Sequence, residues 1–231
     1  MHRAVHGFAE AYPDSLPANI YADLITFADR AFKEFGGSPR VEAFWRPAFQ
    51  QFARWFAATE PARRTFAERT HTEVTGALKL ASDFELTARA DRIDVGEDGS
   101  VVIYDYKTGS VPISKHVETL FAPQLPLEAA IAEHGGFAEL GKRPVQAIRY
   151  IKASGRNDGG EESAAGTSAP ASLACRALKD LVALVDRYDR LDMPYEVKRR
   201  SVFRRLYEYD EYAHLARVDE WLTQEAEEEW R

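Results

Sequence analysis

Residues 90–109 read Ala90-Asp91-Arg92-Ile93-Asp94-Val95, then a break at Gly96-Glu97-Asp98-Gly99, then Val101-Val102-Ile103-Tyr104-Asp105-Tyr106-Lys107-Thr108-Gly109. Two β-branched runs around a Gly- and Asp-rich break predict a hairpin, and two registers are open to it. A two-residue turn at Asp98-Gly99 sets Arg92 opposite Asp105 and turns Asp91 to the other side of the sheet. A three-residue loop, Glu97-Asp98-Gly99 with Gly99 left-handed, pairs Asp91 with Asp105 instead. The second register makes more chemical sense. Strand side chains alternate, so Asp105 and Lys107 share a face and Asp91 joins them at one point.

Two carboxylates facing each other across a strand pair repel and call for a cation. Mg²⁺ or Mn²⁺ suits such oxygen donors and also accepts phosphate oxygens. The pattern therefore fits phosphodiester hydrolysis, with Lys107 placed to orient water or offset developing negative charge. An acidic-x-Lys triplet alone carries little weight, because Glu196-Val197-Lys198 repeats it without a strand or a second carboxylate. The same residues also fit cross-strand ion pairs on a solvated face. Against that, Tyr104 and Tyr106 bracket Asp105 with apolar bulk, where an unpaired carboxylate is costly.

Outward from the hairpin, a further strand is expected before Ser82-Asp83 and another at Pro144–Ile151. Residues 1–62 carry helical spacing, as in Phe44, Phe49, Phe52, Trp55 and Phe56, and helices are also expected at Gln124–His134, Leu173–Tyr188 and Tyr209–Trp221. Ala153–Ser172, rich in Gly, Ser and Glu, reads as a mobile loop. The outline is α+β in one domain over 1–231: a helical segment to residue 62, a catalytic core at 68–152, the loop at 153–172, and helices from 173 onward. With 231 residues, 45% hydrophobic and 29% charged, the chain can bury a core unaided. Its one cysteine, Cys175, excludes a disulfide framework or an intrachain iron–sulfur cluster. A net charge of −7 argues against blanket binding of nucleic acid. No apolar run matches a membrane span or signal peptide, so no membrane partner and a cytoplasmic location are expected.

Ala90-Asp91-Arg92-Ile93-Asp94, Ile103-Tyr104-Asp105-Tyr106-Lys107-Thr108-Gly109 and Ala122-Pro123-Gln124-Leu125-Pro126-Leu127-Glu128-Ala129-Ala130 together resemble the PD-(D/E)XK nuclease superfamily. The resemblance is to its RecB-like branch, and within that to the nuclease domains of AddB-type double-strand break repair proteins. It implies a restriction-endonuclease-like core, a central mixed sheet flanked by helices. It further implies a metal-dependent DNA exonuclease using Mg²⁺, with Mn²⁺ as a substitute, that acts in recombination alongside an AddA-like helicase–nuclease subunit. Carried over, the catalytic residues are Asp91, Asp105, Lys107 and Gln124, and the metal ligands are His6, Asp91 and Asp105. Glu73, in Thr72-Glu73-Val74, is a possible additional acidic group, its plainer reading being a solvated strand position.

The chain departs from the family at Glu128, where many RecB-like nucleases have Tyr four residues after the Gln, and Glu128 is kept as a further candidate. It has one cysteine where some AddB proteins use four for an iron–sulfur cluster, so no cluster is expected. It also has no helicase-like region, which suggests an excised domain or a truncated relative. A nuclease-like scaffold without activity, or a stand-alone nuclease, remains the alternative. His2 is the weaker of the two N-terminal histidines as a ligand. For DNA contact the candidates are Lys198, Arg199 and Arg200, followed by Arg204 and Arg205, with smaller basic pairs at Arg63-Arg64 and Lys142-Arg143.

Overall fold

The computed structural model describes residues 1–33, 41–80, 83–155 and 158–194. Residues 1–186 form one compact unit, and a second begins at Arg187. The chain opens with α1 (His2–Ala11) and α2 (Ile20–Lys33), then a short π-helical stretch at Val41–Trp45 that runs into α3 (Arg46–Arg64). Next come β1 (Ala67–Lys79), β2 (Glu85–Gly96) and β3 (Val101–Lys107), followed by α4 (Ser114–Glu118) and α5 (Gln124–Glu133). β4 (Val145–Ala153), β5 (Gly160–Ala164) and α6 (Pro170–Tyr188) complete the described part. The expected helix at 209–221 and the basic cluster at 198–205 lie outside the described residues.

The five strands form one mixed sheet in chain order, with β3 and β4 parallel and every other neighbouring pair antiparallel. A parallel pair needs a long crossover, and α4 and α5 supply it between β3 and β4. The architecture is therefore the expected α+β one, a mixed sheet between two helical layers. β3 lies at its centre, and Val101 through Tyr106 are all buried. Both faces of that strand are covered, which is why its sequence is apolar almost without interruption.

Each face has its own core. Val101 and Ile103 pack with Ile93 from β2 and with Leu125, Ala129 and Ile131 from α5, joined by Leu173 and Ala174 from α6. Val102, Tyr104 and Tyr106 pack on the other side with Val5 and Phe8 of α1, Leu24 of α2, and Phe49, Phe52 and Phe56 of α3. The aromatic spacing in α3 thus serves this second core, as a 3.6-residue period requires.

The β2–β3 hairpin takes the three-residue register. Its pairs run from Val95↔Val101 to Arg92↔Tyr104, Gly96 N–H donates to Ser100 O at 2.9 Å, and Gly99 has φ of +77°. Asp98 Oδ1 accepts from Ser100 N–H at 2.9 Å and locks the turn.

Part of the expected mobile loop is ordered. Gly160–Ala164 pairs antiparallel with β4 along Ala153↔Gly160 to Arg149↔Ala164, and α6 starts at Pro170, three residues before the expected Leu173. This edge strand is held by its ladder and by Glu162, which accepts from Arg63 at 2.9 Å and from Arg149 at 3.0 Å. An edge strand built on polar side chains leaves no hydrophobic alternation to read, and its polarity guards against edge pairing with other chains.

Candidate active site

At Arg92↔Tyr104 the β2–β3 ladder stops, one position before Asp91 and Asp105 would meet. Beyond that point β2 stays with β1, and β3 continues beside β4 through Asp105↔Tyr150 and Lys107↔Lys152. The two strands part into a fork. Asp91 bridges it, its Oδ2 accepting the Tyr106 backbone N–H at 2.9 Å. A carboxylate thereby replaces the strand partner that this amide lacks.

On the α5 side of β3, Lys107 Nζ lies 2.9 Å from Asp105 Oδ1 and 2.7 Å from Oδ2. The Oδ2 contact is short but poorly aligned, and that buried oxygen receives no proper hydrogen bond. Gln124, first residue of α5, donates from Nε2 to Asp105 Oδ1 at 2.7 Å and accepts from Lys107 at 3.1 Å. One turn on, Glu128 Oε1 accepts from Gln124 Nε2 at 3.1 Å, while its buried Oε2 has no partner. Four of the expected residues, Asp91, Asp105, Lys107 and Gln124, thus gather at the fork, and Glu128 adds a third carboxylate.

The charges at the fork show the strain of this gathering. Burial pushes the Asp105 carboxyl above its ordinary range, Lys107 pulls it back, and Asp91 pushes it up again. Burial raises Glu128 more strongly, to about 8, with Asp105 and Asp91 acting in the same direction. Three carboxylates around one ammonium leave a cation deficit, the condition under which acidic groups hold their protons.

The structure places the two N-terminal histidines differently. His6 Nδ1 sits 2.7 Å from Thr72 Oγ1 and its Nε2 lies 3.6 Å from Glu10, with no hydrogen bond or ion pair to Asp91 or Asp105. His2, one helical turn earlier, reaches the fork instead. Its Nε2 donates to the Tyr106 carbonyl at 2.7 Å and lies 3.6 Å from Asp91 Oδ2. Residues i and i+4 share a helix face, so periodicity could not choose between the two. The choice is made by how far α1 reaches along β3, which depends on tertiary packing.

Glu73 is opposite Asp91 by register, between the pairs Thr72↔Arg92 and Val74↔Ala90. Its carboxylate turns to Arg89 Nε at 2.8 Å. Its φ of +54° is left-handed, a strained conformation for a side-chain-bearing residue. Glu73 is therefore beside the site in the sheet but engaged elsewhere.

The opposite face of the fork carries a network that sequence reasoning missed. Arg92 is fully buried and grips Asp94 through two hydrogen bonds of 2.7 Å, with a third to Glu60 Oε2 at 2.8 Å. Glu60 also accepts from Arg63 and Arg64, each at 2.8 Å. Burial alone would raise Glu60, but the arginines overcome it and hold the carboxyl at about 2. Arg63 and Arg64 are thus structural, and the basic pair read as a DNA patch is withdrawn into this network. Their adjacency on a helix looked like a solvated face, and only the partner on the same helix, Glu60, three and four residues back, hinted otherwise.

As a donor set for a divalent cation, the fork offers the Asp91 and Asp105 carboxylates, the Tyr106 carbonyl, the unpartnered Glu128 oxygen and the His2 imidazole. Hard oxygens with one imidazole suit Mg²⁺ or Mn²⁺. Among the described residues no three acidic, histidine or cysteine side chains already converge at metal-ligand spacing. The donors fit in kind, and Lys107 is paired with Asp105 beside them.

The fold and the fork define a nuclease-type αβ core, and comparison with known proteins agrees. The PD-(D/E)XK nuclease superfamily matches residues 1–228, and the chain belongs to that superfamily. It is 30% identical over 98 residues to the uncharacterized protein RC0550 of Rickettsia conorii, a match covering 41% of this chain and 12% of the relative. The uncharacterized protein RT0391 of Rickettsia typhi is 30% identical over 100 residues, 42% of this chain and 12% of the relative. The chain thus aligns with only about an eighth of the length of these relatives. The crystal structure of SSO0001 is 16% identical, with 68% of each chain covered and a TM-score of 0.31. Among the described residues no helix is long and apolar enough to cross a membrane.

Proposed function

We propose that this chain is a metal-dependent DNA nuclease domain, working within an AddAB-type helicase–nuclease in double-strand break repair. The observation that carries the hydrolytic reading is the fork itself: Asp91 bound to the Tyr106 amide, with Asp105, Lys107 and Gln124 joined by hydrogen bonds one residue away. A scaffold gains nothing from holding mutually repelling carboxylates at a strand fork.

Asp91 and Asp105 would hold Mg²⁺, with the Tyr106 carbonyl and His2 completing the protein's share. Bound there, the metal supplies Lewis-acid activation of a phosphate oxygen and acidifies water. The chain's own groups do the rest. Lys107 is free to turn its ammonium from Asp105 toward the scissile phosphate, where it stabilises the added negative charge or orients the attacking water. Gln124 donates to Asp105 and accepts from Lys107, holding the Asp105 carboxylate in place as the lysine turns. Glu128, protonated by its burial, is positioned behind Gln124 to take up or release a proton.

His2 Nε2 donates to the Tyr106 carbonyl, so ligation through that nitrogen uses the tautomer protonated on Nδ1. Calorimetric titration with Mn²⁺ tests the site: wild type binds, and Asp91→Asn and Asp105→Asn each lose that binding. Equal Mn²⁺ binding by all three would remove the metal from this fork. The AddA-like partner is tested separately, by co-purification and by resection of duplex ends with both chains present.

A further inference from the structure

Ligands of open α/β sheets gather outside the carboxyl ends of parallel strands. In this sheet β3 and β4 are the parallel pair, and Lys107 and Lys152 stand side by side at their carboxyl ends. Two residues earlier on each strand, Asp105 is paired with Tyr150. Sequence reasoning passed over both Tyr150 and Lys152.

Alternation along β4 assigns their face. Ile148 and Tyr150 pack in the core under α5, whereas Ile151 packs in the core under α1 and α3. Lys152 therefore shares the α5 face with Asp105 and Lys107. Tyr150 is buried beneath this row, its ring centre 6.0 Å from Lys107 Nζ.

The two lysines differ in their partners. Lys107 lies 2.7 Å from an Asp105 oxygen, while Lys152 makes no ion pair or hydrogen bond with another described residue. Its register neighbour on β5 is Glu161, whose side chain is exposed and does not pair with it. Lys152 is half-buried, and partial burial of an unpaired ammonium is costly. Like charges opposite one another on neighbouring strands add to that cost. An anion lying beside both ammonium groups offsets both penalties.

We propose that Lys152 binds the phosphate next to the scissile one on the strand being cut. This deepens the nuclease reading above and rests on it. Asp91, Asp105 and Lys152 follow one another across β2, β3 and β4, so a strand cut at the fork leaves it over β4. Neighbouring β-strands lie about 4.8 Å apart, and the flexible four-carbon stem of lysine covers the remaining reach to the next phosphate. The ammonium meets a phosphate as a point charge and makes no demand on the base. The contact thus sets the register of the strand without selecting sequence. With −7 on the chain as a whole, attraction of the backbone depends on such local cations.

Binding of a labelled single-stranded oligothymidylate to the full chain is followed by fluorescence anisotropy from about 50 to 200 mM salt. Ca²⁺ replaces Mg²⁺, so that affinity is read apart from cutting. Each phosphate neutralised on a single strand contributes about 0.7 to the slope of log affinity against log salt. Lys152→Ala is expected to bind several-fold more weakly with the slope reduced by about 0.7, and Lys152→Arg to keep both wild-type values. Lys152→Met keeps the stem without the charge, should match Lys152→Ala, and serves if the alanine variant folds poorly. Lys179→Ala removes an exposed charge from α6 and should leave the slope unchanged. In Mg²⁺, loss of the Lys152 charge should raise KM and leave kcat near wild type, as expected for a contact made equally in the ground and transition states. Wild-type slope and KM in folded Lys152→Ala or Lys152→Met, or a slope lowered as much by Lys179→Ala, would overturn the subsite while leaving a wild type that cuts DNA a nuclease. A wild type that neither binds nor cuts would overturn both readings.

Discussion

Lys107 and Asp105 differ in what their removal does to the fold, because Asp105 is 2% exposed and Lys107 is its counterion. Lys107→Ala leaves a buried carboxylate uncompensated and is expected to cost about 1–3 kcal/mol at neutral pH as well as abolishing cutting. Asp105→Asn removes a repelling charge and should abolish cutting with no loss of melting temperature in metal-free protein. Chemical denaturation of the two variants side by side checks the contrast. Glu128 gives a pH signature. Its folded carboxyl titrates near 8 because of burial, against an ordinary value of about 4.5. The folded state therefore retains a proton that the unfolded chain releases, and stability falls as pH rises from about 4.5 to 8. Glu128→Gln is expected to raise the melting temperature at pH 8 and to change it little at pH 5. Melting curves at both values decide this, and equal shifts would contradict it.

At the scale of elements, the fork depends on the buried ion network behind it. Arg92 is gripped by Asp94 and Glu60 on the face opposite Asp91. Breaking one member of such a network strands the others, so Arg92→Ala is expected to destabilise by about 3–5 kcal/mol. Glu60 gives the acid limb. Arginines hold it at about 2, so its contribution is present above about pH 4.5 and is lost as pH falls toward 2. Comparing denaturation midpoints of wild type and Arg92→Ala measures the network. Gly99 sets the register through its φ of +77°, and this was legible in the sequence because glycine at the end of a three-residue loop has few other reasons to be there. The three strands around the hairpin were legible for the same local reasons. β5 was not, since its stability comes from β4 and from Glu162 rather than from its own pattern. His2 was not either: the choice between two histidines on one helix face depends on how α1 seats against β3.

For the whole molecule, Asp91 and Asp105 are held close by the fold, and cation binding there should relieve their repulsion. Added Mg²⁺ is expected to raise the melting temperature by a few degrees, since a ligand for the folded state alone stabilises it by mass action. Asp91→Asn should lose most of that shift. Membership of the PD-(D/E)XK superfamily rests on residues 1–228, while the repair context is a proposal about a larger assembly. The carboxylates and lysine were readable because strand alternation and one turn converge them. The measurement that goes furthest is degradation of end-labelled single-stranded DNA in Mg²⁺ and in EDTA, by wild type, Asp105→Asn and Lys107→Ala. Cutting by wild type that needs Mg²⁺ and disappears in both variants is the predicted result. Cutting that survives EDTA or either substitution would contradict the assignment of chemistry to this fork.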